Sequence, residues 1–69
     1  MTEVKLEELT KDILLNLQDG EDIKVIFKKG YAIYTKENKD FFIKKQDSVM
    51  DIKELRVLTL ILEEYETSK

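Results

Sequence analysis

Carboxylates and lysines are the only side chains dense enough in this sequence to suggest chemistry. Acid pairs occur at Glu8 and Asp12, one helical turn apart, and in the run Glu63, Glu64 and Glu66. Two carboxylates can divide general acid and general base work when their surroundings push their pKa values apart. That requires a cleft of ~300 Å3 or more, for which a small domain leaves little room. The 69-residue chain has no histidine, cysteine, proline or tryptophan. Imidazole and thiolate zinc ligands, Ser-His and Cys-His pairs and a histidine proton shuttle are thereby excluded. Gly20 and Gly30 stand alone, so no glycine-rich phosphate loop exists, and the acids do not follow calcium-loop spacing. The chain reads as a non-enzymatic protein needing neither metal nor cofactor.

The lysines suggest a different chemistry. Lys24, Lys28, Lys36 and Lys44, with Tyr34 and Phe42 among them, could line a basic, partly aromatic face for single-stranded nucleic acid. Lys29-Gly30-Tyr31-Ala32 also opens like the RNP1 signature of RNA-recognition domains. Ile33 and Lys36 then replace the aromatics that stack on bases, which removes the reason for the motif. Eleven lysines accompany a single arginine, Arg56, so bidentate forks to phosphates or bases are nearly absent. Direct nucleic-acid binding is therefore the weaker alternative.

The elements that would position these groups follow from apolar spacing. Leu6, Leu9, Ile13 and Leu17 recur at three- and four-residue steps, predicting a helix over about 3–18, with Thr2 as N-cap and Gly20 as stop. From Asp22 the period changes to two, and strands are expected at about 22–28, 31–36 and 40–45. Connections as short as Lys29-Gly30 and Glu37-Asn38-Lys39-Asp40 require antiparallel neighbours. Helical spacing returns over about 49–66, opened by Ser48 with Asp51 or by Asp51 with Glu54, and Leu55, Leu58, Leu62 and Tyr65 form its inward stripe. The expected fold is a single α+β domain, residues 1–69. A helix, a three-stranded antiparallel meander and a second helix follow in that order, with both helices on one face.

This layout leaves apolar residues without a place in one small core. Leu15 and Val4 fall opposite the first helix's stripe, Val57 and Ile61 widen the second's inward arc while Leu60 sits near Lys53 and Arg56, and Ile26, Tyr34 and Phe42 occupy the sheet face turned from the helices. A second buried surface, most simply a homodimer, accounts for Leu15, Val57, Leu60, Ile26, Tyr34 and Phe42 together.

Charge divides by segment. The chain's net −3 resolves into −5 over residues 1–22, +5 over 23–46 and −3 over 47–69. Glu3 with Glu7, and Glu8 with Asp12, are like-charged pairs at helical spacing, each unfavourable by a few tenths of a kcal/mol. Such acids fit a surface that a basic partner reads.

The helix–meander–helix layout, with acid on Glu3, Glu7, Glu8, Asp12, Glu63, Glu64 and Glu66, resembles small phage-encoded host-takeover inhibitors. These include DNA-mimic inhibitors of the histone-like nucleoid protein HU and some anti-CRISPR proteins. The resemblance implies an acidic inhibitor that occupies the basic nucleic-acid-binding surface of a host protein, as a dimer. The remaining alternative is a small regulatory or structural dimer acting through apolar contacts. An acidic N-terminus and the lack of a long apolar run predict neither secretion nor membrane insertion, and hence a cytoplasmic location, the host's if phage-encoded.

Overall fold

The computed structural model describes residues 1–69. It replaces the expected first helix with three shorter elements. Thr2–Lys5 is a strand, β1; Leu6–Glu8 is one 3-10 turn; and Lys11–Asn16 is a short helix, α1. In Thr2-Glu3-Val4-Lys5 only Val4 is buried, the two-residue alternation of a strand with one inward face. β1 pairs in parallel with β2 (Asp22–Phe27), placing Val4 against Val25. The intervening residues 6–21 supply the long crossover that a parallel pair requires. Thr10 then starts α1 afresh, its side chain accepting a hydrogen bond from the Ile13 amide at 3.4 Å.

The rest of the sheet follows the expected meander. β3 (Gly30–Glu37) and β4 (Asp40–Ser48) are antiparallel to their predecessors, and the strand order is β1-β2-β3-β4. The sheet is thus four-stranded and mixed rather than three-stranded and antiparallel. Gly30 leaves the first turn at φ +104°, and a Cβ there would lie 1.9 Å from the Asp47 carbonyl oxygen, so only glycine fits. Asn38 and Lys39 both have positive φ, 51° and 68°, the two-residue turn geometry whose twist matches the flanking strands. A register shift opposite Ile33 and Tyr34 inserts Lys44 as an extra residue in β4.

Ile52–Ser68 forms the long helix, α2. Of its two possible starts the Asp51–Glu54 box is the one formed: the Asp51 carboxylate accepts from the Glu54 amide at 2.8 Å, and Glu54 accepts from the Asp51 amide at 3.2 Å. Leu58, Ile61 and Tyr65 enter the core with Leu14 and Leu17 from the α1 region, covering Ile23, Val25, Phe27 and Ala32. Leu55 and Val57, both expected inward, are exposed, whereas Ile61, expected in the same arc, is buried. Tyr34 also departs from expectation. It pairs with Ile23 and packs against the core, because opposed residues of an antiparallel pair share a face. Val4, expected on the outer side of a helix, is likewise a core residue. No helix is long and apolar enough to cross a membrane.

Candidate interaction surface

The basic-sheet surface is tested residue by residue by the fate of its four lysines. Lys24 lies 4.0 Å from Glu3 across the β1–β2 pair and sits over the Tyr31 ring. Lys28 lies 3.9 Å from Asp51. Lys44 forms a 2.8 Å ion pair with Asp22. Hydrogen bonds from Lys44 and Thr35, led by the former, hold the Asp22 carboxyl below its ordinary pKa.

Lys36 is the most altered. It is only 5 % exposed, and its ammonium donates to the carbonyl oxygens of Leu14, Leu15 and Leu17 at 2.8, 3.4 and 2.6 Å. Those carbonyls are left open where α1 ends, so Lys36 is a C-terminal cap supplied from β3. The rings of Phe41 and Tyr65, 5.8 and 5.5 Å away, flank it. A lysine read as a candidate phosphate contact is a core member. Phe42 faces the open side of the sheet, opposite Thr35, but Tyr34 is turned to the helices.

The seven acids distribute differently. Glu3 is on β1, Glu7 and Glu8 are in the 3-10 turn, Asp12 opens α1, and Glu63, Glu64 and Glu66 lie in the second half of α2. No continuous helix carries Glu3, Glu7, Glu8 and Asp12, so the expected acidic row on one rigid helix is absent. Glu3 is engaged with Lys24, and Glu66 with Lys69 at 2.9 Å. Glu7, Glu8, Asp12, Glu63 and Glu64 are exposed and form no ion pair, although Glu8 accepts a 3.4 Å bond from the Lys5 amide. Packing of the 3-10 turn and α1 against α2 brings these five into one layer. Lys11 bridges it, its ammonium 3.4 Å from the Ser68 hydroxyl. Lys53 and Arg56 temper the layer's charge in the first half of α2.

A cleft of about 360 Å3 opens where the 3-10 turn meets the end of β2 and the start of α2, more room than the chain length suggested. Leu6, Phe27 and Val57 line it, with Lys5, Lys53 and Glu54 among its polar groups. Glu54 is 8 % exposed and both its oxygens are occupied, one by the Asp51 amide and the other by the Lys28 amide at 3.0 Å. Its carboxylate ties the β2–β3 turn to α2.

The expected dimer contacts also separate. Phe42, Leu60 and Val57 are exposed, Leu15 is at the margin of exposure, Ile26 is half-buried, and Tyr34 belongs to the core periphery. Sequence reasoning missed Ile43, Val49, Ile52 and Leu55, all of which are exposed. Ile43 shares the helix face with Phe41 and is exposed because β4 is the last strand of the sheet, which local spacing does not show. Comparison of the chain with protein-family models, curated proteins and solved structures returned no match.

Proposed function

We propose that the protein is a non-enzymatic acidic binding domain that works, as a dimer, by occupying a basic surface of another protein. The observation carrying this reading is the asymmetry of charge engagement. Of the four lysines of the candidate nucleic-acid face, Lys36 is buried, Lys44 is paired with Asp22, and Lys24 and Lys28 each lie within 4.0 Å of an acid, whereas Glu7, Glu8, Asp12, Glu63 and Glu64 remain unpaired on the helical layer. Unpaired acids on packed elements attract a basic groove and compete with nucleic acid for it. This is the physical content of DNA mimicry, and it supports the host-takeover inhibitor reading without requiring a single acidic helix.

The test compares capture by the wild type with capture by the triple variant Asp12→Lys, Glu63→Lys, Glu64→Lys. The expected result is a retained basic, nucleic-acid-binding protein that moderate salt releases and the variant fails to hold. Equal retention by both proteins would remove the acidic layer from the mechanism. Tight binding of the wild type to a single-stranded oligonucleotide at physiological salt would transfer the function to the sheet.

A second reading, a regulatory dimer acting through apolar contacts, is favoured by the exposed Ile52, Leu55, Val57 and Leu60 on α2. It differs in predicting partner binding that salt does not weaken.

A further inference from the structure

The sheet has two edges of unequal character. β1 is four residues long, with Val4 buried and its crossover turning directly into the helical layer. β4 is nine residues long and bonded to β3 on one side only. Exposed apolar side chains stand on both of its faces: Phe42, 52 % exposed, on the open face and Ile43, 59 % exposed, on the helix face. Val49 extends this surface just past the strand. A long edge with apolar residues on both faces is a template for another strand.

We propose that this edge pairs antiparallel with the same edge of a second copy of the chain, about a two-fold axis through Gln46. The inference rests on the dimeric part of the functional reading and adds the interface and its register. Charge complementarity selects that register. With Gln46 on the axis, Lys45 stands opposite Asp47 of the second copy, and Asp47 opposite its Lys45, giving two symmetric pairs. An axis through Lys44 or Lys45 would instead set that lysine against itself. An axis through Phe42 would call on Asp40 and Lys44, which are already held by Lys69 at 2.6 Å and Asp22 at 2.8 Å.

The pairing groups are available. Asp47 has no ion pair within the chain, and Lys45 lies beside Tyr31 on the same open face. Edge lysines ordinarily discourage strand pairing. Here Lys44 is drawn across the sheet to Asp22, and Lys45 is answered by Asp47. A standard interface takes about 800 Å2 from each partner, roughly a sixth of this protein's 4811 Å2. β4, with the exposed Phe42 and Ile43 and with Val49 just past its end, is the part of the surface from which that area is drawn.

The full chain, measured by sedimentation equilibrium with folding monitored by circular dichroism, is the test. The wild type is expected to dimerise. Lys45→Asp and Asp47→Lys should each weaken dimerisation about tenfold or more, because each sets like charges face to face twice. The double variant should recover it, and an equimolar mixture of the two single variants should form a heterodimer. A monomeric wild type, or folded single variants that dimerise as the wild type does, would overturn the register and the interface. Capture of a basic partner by a monomeric wild type would do so while leaving the acidic binding surface standing.

Discussion

β2 and β4 each carry a group of large apolar residues, and the two groups meet opposite fates. β2 contributes Ile23, Val25, Ile26 and Phe27, and β4 contributes Phe41, Phe42 and Ile43. In β2 every second residue is buried, because β1 and β3 flank it and the helices lie over one face. In β4 every residue but Phe41 and Ser48 is exposed, since the strand is the last of the sheet. Phe41 does so by meeting Tyr65 edge to face, ring centres 5.1 Å apart. Hydropathy makes a residue eligible for the core, while its position in the sheet decides whether the core reaches it. The same rule separates Lys36, which β3 carries beneath α1, from Lys44, which stays at the surface with Asp22.

The contrast can be broken most forcefully from the buried side. Ile23→Ala should cost about 2–5 kcal/mol in chemical denaturation, since a completely buried side chain leaves both a transfer loss and a cavity; Ile23 is 0 % exposed. A cost near that of an edge residue would mean that β2 is not the centre of the core. Lys36→Met should cost about 2–4 kcal/mol despite its gain in hydropathy, because the carbonyls ending α1 lose their donor in a buried setting. An unchanged or raised stability would show that packing against Phe41 and Tyr65 outweighs those bonds. Glu54→Gln should cost about 1 kcal/mol, since one amide oxygen cannot accept from both the Lys28 and Asp51 N–H groups.

The surface side gives the smaller effects. Because Asp22 has a folded-state pKa below its ordinary value, its contribution is complete above that value and is lost as pH falls toward the folded one. An acid titration of stability should therefore be less steep in Asp22→Asn than in the wild type at the same salt. Identical titrations would mean that the Lys44 pair adds nothing to folding. Ile43→Ala should leave the stability of the monomer within about 0.5 kcal/mol, as expected for a side chain outside the core. A core-sized loss from the isolated monomer would erase the distinction between the two strands.

Legibility varied along the chain for a physical reason. The β2–β3–β4 meander and α2 were readable because their turns and cap are local: Gly30, Asn38-Lys39, and Asp51 with Glu54 three residues later. Residues 3–18 were not, because Leu6, Leu9, Ile13 and Leu17 keep their three- and four-residue steps whether or not one helix joins them. The like-charged Glu3–Glu7 and Glu8–Asp12 spacings disfavoured such a helix, and the structure places none of these pairs within one. The acidic surface was legible as composition. Its grouping by packing of the 3-10 turn, α1 and α2 was not.

From residue types and local spacing alone, the sequence determined that histidine and cysteine chemistry is excluded, that three strands must run antiparallel, and that a capped amphipathic helix closes the chain. Only the tertiary structure decided that Thr2–Lys5 is a strand, that Lys36 is a buried cap, and that Tyr34 faces inward while Leu55 faces out. Each of those depends on a partner distant in the chain. Val4 meets Val25, Lys36 reaches Leu14 and Leu17, and Tyr34 stands opposite Ile23. Periodicity records how a segment distributes its own side chains, but the surface that receives them belongs to another segment.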